Sequence, residues 1–339
     1  MSSLPKTYKA AVAEKAGGPL VIKEFELKQP GPNQILVKVI ACGVCHSDID
    51  INAGGFGDIF PRVPGHEIVG DVVAIGEGVK AFSKGDRVGG PWHGGHDDTC
   101  RACRRGYFQM CEDAKVNGVD FDGGYAEYVL LRTEAVVRVP KDIDPVQAAP
   151  LLCAGVTTFN SIRKQSIEQG NLVAIQGVGG LGHLAVQYCS KMGYRTVAIS
   201  SGSAKRDFAL QLGAHEYIDT SKEDPVKALQ AMGGAALIVA TAPNSKAIGP
   251  LLGGLQAAGK MLVLAPVGNI VFDSMLMVPK GTSVVGWPSG HALDSEEAIE
   301  FAKIHDIKVM VERFPLADVE KALEACKTGK VRFRGVLVL

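Results

Sequence analysis

The stretch VAIQGVGGLGH, residues 173–183, constrains the fold more than any other segment. A short apolar run enters Gly177, Gly179 and Gly182 in a G-x-G-x-x-G spacing, with Gly180 and Leu181 inside the loop, and HLAVQYCSKMG continues with helical periodicity. The first glycine permits a tight turn, the second lets backbone approach a pyrophosphate, and the third allows close helix–strand packing. The helix N-terminus then faces the phosphates. Read with a strand before it and a helix after it, the loop is expected to bind a dinucleotide.

The surroundings agree with that reading. From about Gly155, buried β-type runs (RTVAIS, HEYID, AALIVATA, KMLVLAP, SVVGWP) alternate with helical stretches such as SAKRDFALQLGA and KAIGPLLGGLQAAG, which implies a doubly wound parallel sheet. Upstream, QILVKVIACGV, EIVGDVVAIG, DRVGG, YAEYVLL and AVVRVP are short β-type runs separated by Gly and Pro, as in a barrel-like β domain. The tail ends in VRFRGVLVL, a strand-like run expected to return to the first domain. A length of 339 residues accommodates these two domains.

Charge excludes some partners. Lys plus Arg equals Asp plus Glu at 36 each, so neither nucleic acid nor a membrane surface is expected, and a small molecule is. The N-terminus has no apolar run of signal-peptide length, and no window reaches the ~18 apolar residues of a membrane span, so a cytoplasmic protein is expected. Its eight cysteines then read as metal ligands or packed thiols rather than disulfides.

The strand after the glycine loop indicates which dinucleotide. An NAD site usually carries a carboxylate at its end, for the ribose 2′-hydroxyl. TVAISSGSAKR offers Ser200 and Ser201 instead, followed by Lys205 and Arg206. Hydroxyls and a cation suit a 2′-phosphate, so NADP is expected rather than NAD. The alternative is that Lys205 and Arg206 are solvated residues on a helix's first turns.

Two groups of metal-type residues stand apart. CGVCHSD, PGHEIVG and PLLCAGVTT supply Cys45, His66 and Cys153, and two thiolates with one imidazole leave the fourth tetrahedral position of a zinc ion open, the catalytic arrangement. HGGHDDTCRACRRGYFQMC, residues 93–111, supplies Cys100, Cys103 and Cys111, one short of the four ligands of a closed structural site.

Together with the glycine loop, the Gly-His-Glu triplet, the cysteine in LLCAGVT and GVGGLGH make the chain resemble the zinc-dependent medium-chain alcohol dehydrogenases over essentially its whole length, in their short, yeast- and bacterial-type branch. The resemblance implies a GroES-like β-barrel catalytic domain (1–153 and 291–339), a Rossmann domain (154–290) between its two segments, an active site in the cleft, and a homotetramer. It implies reversible hydride transfer between a primary or small secondary alcohol and NAD(P)+, with the alkoxide or carbonyl polarised by zinc. It selects Cys45 over Cys42 as ligand, makes Ser47 the start of the proton relay, Asp48 the residue orienting His66, and Glu67 a neighbour of the metal. His46 and Arg334 match residues near the cofactor pyrophosphate, and Trp92 matches a pocket wall, its alternative being a plain core tryptophan. Many relatives carry a relay histidine where this chain has Asp50, whose role stays open.

The resemblance also implies a second, structural zinc, giving two per subunit. The family's C-x2-C-x2-C-x7-C spacing lands on Asp97 as partner of Cys100, Cys103 and Cys111. Carboxylate oxygen is an accepted zinc ligand. His96, Asp98 and His93 compete for the place, and an empty site is the remaining alternative. A carboxylate ligand is expected to lose zinc to acid more readily than a thiolate would. Three rival readings follow: a zinc-free quinone or enone reductase, against which the three ligands stand; a polyol dehydrogenase, disfavoured by Cys153; and a non-catalytic dinucleotide sensor.

Overall fold

The computed structural model describes residues 4–339; the first three residues, part of the N-terminal stretch read for a leader and of the 1–153 segment, lie outside it. The chain divides into two compact units. One comprises the chain up to Cys153 with Gly290–Lys303 and Lys308–Leu339, and the other Ala154–Ser289 with Ile304–Ile307.

The first unit is built on β1 (Thr7–Ala13), β2 (Leu20–Glu26), β3 (Gln34–Val44), β4 (Ile68–Ile75), β5 (Arg87–Gly90), β6 (His93–Gly95), β7 (Lys115–Val116), β8 (Tyr128–Arg132) and β9 (Val137–Arg138). The chain passes through β10 to β15 in the second unit and returns with β16 (Val311–Pro315) and β17 (Arg334–Val338). Strand β3 is the spine. It pairs antiparallel with β4 over most of its length, with β8 through Gln34–Lys38, and with β17 through Ala41–Val44. The expected return of the tail is therefore seen: Leu337 stands opposite Cys42. Alternate residues of these strands, among them Ile35, Val37, Val39, Ile68, Val72 and Leu337, close one apolar core.

In the second unit β10 (Leu172–Gln176), β11 (Arg195–Ser200), β12 (Glu216–Asp219), β13 (Ala235–Ala240), β14 (Leu255–Val263) and β15 (Ser283–Gly286) form one parallel sheet in the order β12-β11-β10-β13-β14-β15. All five residues of β10 and all six of β13 are buried, because apolar clusters cover both sheet faces. Strand order reverses between β10 and β13, the place where an open sheet of this kind binds ligands. The glycine loop follows β10 directly. Gly177 adopts φ +93°, and a Cβ on Gly182, the first residue of helix Gly182–Lys191, would meet the Gly177 carbonyl at 1.9 Å.

One expected helix is not continuous. KAIGPLLGGLQAAG gives a single helical turn, Ser245–Ile248, and a 3-10 segment, Gly249–Gly254, before Leu255 enters β14. Pro250 lacks an amide proton and the Gly253–Gly254 pair favours no helix, so the apolar run continues as strand.

Leu337 is fully buried and its strand is the last of the core. Leu337→Ala is expected to cost about 2–5 kcal/mol, read as a lowered thermal midpoint in calorimetry. An unshifted midpoint would contradict the packing of β17.

Candidate active site

Strand β3 ends at Val44, Cys45 is extended, and helix His46–Asn52 begins at once. Asp48, in its first turn, accepts the Cys45 backbone N–H at 2.8 Å through Oδ2. The same Oδ2 accepts the Tyr125 hydroxyl at 3.0 Å, and Oδ1 lies 3.1 Å from His66 Nδ1. Asp48 and His66 are fully buried. With Nδ1 engaged, His66 Nε2 is buried without a hydrogen-bond partner.

Cys45, His66, Glu67 and Cys153 each bring one donor atom within 4.8 Å of the others. The Cys45 and Cys153 sulfurs are 3.8 Å apart. Two thiolates ~2.3 Å from one tetrahedral zinc are separated by about 3.8 Å, so the pair fits that ion, as does the unpartnered imidazole nitrogen. The hydrogen bond with Cys153 holds the Cys45 thiol well below its ordinary range, helped by His66 and Arg334, which favours the ligating thiolate. Ser47 Oγ lies 3.8 Å from the Cys45 sulfur. The Trp92 ring meets His66 edge-on, with centroids 4.8 Å apart, and the Phe56 ring also packs edge-on against Trp92, at 5.7 Å.

Beside the two cysteines Glu67 pairs with Arg334, both buried. Burial pushes the Glu67 carboxyl up to about 7 against the pull of the guanidinium. Arg334 comes from β17, so a residue expected near a pyrophosphate also neutralises the carboxylate beside the ligands. His46 is exposed, with Nδ1 3.8 Å from the Cys326 sulfur, and Asp50 is exposed on the same helix. Cys42 is buried in the core and outside the ligand group.

The second cluster joins Asp97, Cys100, Cys103 and Cys111, whose donor atoms again lie within 4.8 Å of one another. The Cys100 and Cys111 sulfurs are 3.9 Å apart, the tetrahedral separation once more. Backbone N–H groups of Asp97 and Asp113 point at the Cys111 sulfur at 3.4 and 3.3 Å. Asp97 Oδ1 accepts the amides of Cys100 and Thr99 at 2.9 and 2.7 Å, and these bonds hold its carboxyl well below the usual range. The competitors are engaged elsewhere: His96 lies between His93, at 3.2 Å, and Asp98, at 2.9 Å. Burial pushes His93 down to about 3, aided by His96 and His291, so it stays neutral.

In the second unit a Cβ on Gly179 would meet nothing within 4 Å, open space of the kind that backbone approach to a pyrophosphate needs. Ser200 ends β11, and Ser201, Lys205 and Arg206 are exposed in the turn and helix start that follow. Lys205 Nζ donates to the Val178 carbonyl of the glycine loop at 2.9 Å, and Arg206 lies 3.4 Å from Asp207.

Residues 31–141 match the alcohol dehydrogenase GroES-like domain family, and residues 180–304 match the zinc-binding dehydrogenase family. The chain is 54% identical to alcohol dehydrogenase patD of Penicillium expansum over 338 residues, covering 100% of this chain and 99% of that one. It belongs to the zinc-type medium-chain alcohol dehydrogenase family. An alcohol dehydrogenase of Geobacillus stearothermophilus is 38% identical, with 98% and 99% of the two chains covered. The solved cinnamyl alcohol dehydrogenase of Sorghum bicolor superposes with TM-score 0.87 at 32% identity, covering 98% of each chain. The fold is thus that of this family, a GroES-like domain with a Rossmann domain, and the protein is an oxidoreductase that acts on a small molecule with zinc and a nicotinamide dinucleotide. Among the described residues no helix is long and apolar enough to cross a membrane.

For an alcohol dehydrogenase of this family the local motifs pointed to the cysteines and histidine that converge here and missed the residues that support them. Tyr125, 77 residues from Asp48, and Phe56 carried no signal that local spacing reveals. Nor did spacing reveal the pairing of Glu67 with Arg334 across 267 residues. Removing one partner of a buried ion pair strands the other charge. Arg334→Met is therefore expected to destabilise by about 3–5 kcal/mol, and Arg334→Met with Glu67→Gln to recover most of it, as read from denaturation midpoints. Equal losses in both variants would show that the pair itself is not the cause.

Proposed function

We propose that this alcohol dehydrogenase catalyses reversible hydride transfer between a primary or small secondary alcohol and NADP+, using a catalytic zinc held by Cys45, His66 and Cys153. The observation that carries the reading is the convergence of two cysteine sulfurs 3.8 Å apart with a buried His66 Nε2 that has no partner. A zinc ion there supplies a Lewis acid for the substrate oxygen, and the dinucleotide supplies or accepts hydride. Asp48 fixes the His66 ring through Nδ1, which would leave Nε2 to hold the ion. Ser47 takes the hydroxyl proton from the substrate oxygen or returns it. Trp92, edge-on to His66, is the proposed wall that keeps the pocket narrow. Glu67 with Arg334 sets the charge beside the ligands.

Asp97, Cys100, Cys103 and Cys111 are proposed to hold a second zinc that does no chemistry. Gly177, Gly179, Gly180, Leu181 and Gly182 receive the pyrophosphate with His46 and Arg334, and Ser200, Ser201 and Lys205 the 2′-phosphate. The catalytic domain is taken as 1–153 and 291–339, and the Rossmann domain as 154–290. A homotetramer belongs to this reading on the strength of the resemblance, and a cytoplasmic location on the sequence reading given above.

Zinc content near two per subunit is expected. His66→Ala and Cys153→Ala are expected to abolish turnover and leave dinucleotide binding in place, whereas Asp97→Ala lowers the zinc content toward one. Full activity of a refolded, metal-free chain would rule the zinc reading out. With an aldehyde panel, kcat/KM is expected to be higher for NADPH than for NADH. A clear NADH preference would refute the assignment of the 2′-phosphate site.

A further inference from the structure

We infer that Tyr217 and Asp219 are positioning residues for the 2′-phosphate of the cofactor, acting through the peptide groups of Gly202. The inference rests on the NADP reading above. The turn that carries Ser200, Ser201 and Lys205 leaves the sheet at the end of β11, and β12 runs parallel beside it with Asp219 in register with Ser200. Tyr217 and Asp219 are two residues apart on that strand and so share a face. Asp219 Oδ1 accepts the Gly202 N–H at 2.7 Å, and the Tyr217 hydroxyl donates to the Gly202 carbonyl at 2.6 Å. Both backbone polar groups at the middle of the turn are thereby held by side chains of one strand.

Asp219 is itself fixed. It is 7% exposed, and its Oδ1 also accepts Ser221 N–H at 3.0 Å and the Ser221 hydroxyl at 2.6 Å. Gly202 sits at φ +77°, a conformation that costs a glycine little and that the two hydrogen bonds select. On the far side of the turn Lys205 Nζ is tied to Val178 at 2.9 Å, with two of its three protons left for an anion. A turn fixed in advance does not have to be ordered when the phosphate arrives, so its groups bind at lower cost. A cofactor without that phosphate gains much less from the arrangement. The sequence shows only the serines and the lysine; the clamp comes from a strand some seventeen residues on.

Steady-state kinetics of the full chain at saturating aldehyde test the inference. Losing one hydrogen bond in Tyr217→Phe is expected to raise KM for NADPH about fivefold, with kcat unchanged and KM for NADH moved less than twofold. Asp219→Asn keeps an oxygen that accepts the Gly202 N–H and is expected to retain most of the preference that Asp219→Ala loses. KM values for the two cofactors that shift together, or not at all, in Tyr217→Phe overturn the clamp while wild-type NADPH preference stands. A wild-type enzyme that prefers NADH overturns the underlying reading and this inference with it. Tyr217→Phe keeps its ring packing, so the test does not depend on Asp219→Ala folding.

Discussion

The buried carboxylate of Asp48 is the contact on which the candidate site depends. It ends a strand and starts a helix by taking the Cys45 amide, fixes the His66 ring through Nδ1, and is held from behind by Tyr125. A fully buried carboxylate is costly unless its oxygens are satisfied, and here three donors satisfy them. The same interactions that make Asp48 tolerable in the core also set the distance between a thiolate and an imidazole that are 21 residues apart in sequence. Stability and ligand geometry are in this sense one arrangement.

A second buried charge pair extends the argument. Glu67 follows His66 directly, so its position is dictated by the strand entry that places the imidazole. Without a cation it would be a stranded charge, and Arg334 provides one from the far end of the first unit. Next to these, the three-cysteine knot is a local affair: residues 97–113 close on themselves, using backbone N–H groups to hold sulfur and carboxylate alike.

What the sequence made legible follows from range. The glycine loop is contained within a dozen residues and the alternation of strand and helix repeats in short units, so both are found where expected, and the Cys- and His-bearing fragments do converge. Asp97 came from the family spacing that the resemblance supplies, and the folded chain brings its carboxylate beside the three cysteines. The helix expected over KAIGPLLGGLQAAG failed for a local reason as well, since apolar residues outnumbered the breakers Pro250, Gly253 and Gly254. Tyr125, Arg334 as partner of Glu67, and the side-chain contacts of Tyr217 and Asp219 with Gly202 were hidden because each joins residues well separated along the chain. Only the folded sheet brings those side chains together.

The placement of β17 beside β3 has a consequence for the order of events during synthesis. The residues of the dinucleotide unit lie between Glu67 and Arg334, so every strand of its sheet has been made before the cation of the pair exists. On the ribosome the parallel sheet has all of its parts early, while β3 still presents the edge beside Ala41–Val44 unpaired and Glu67 without its counter-charge. The site next to Cys45 is thus the last to be sealed, and the closing step belongs to the strand that begins at Arg334.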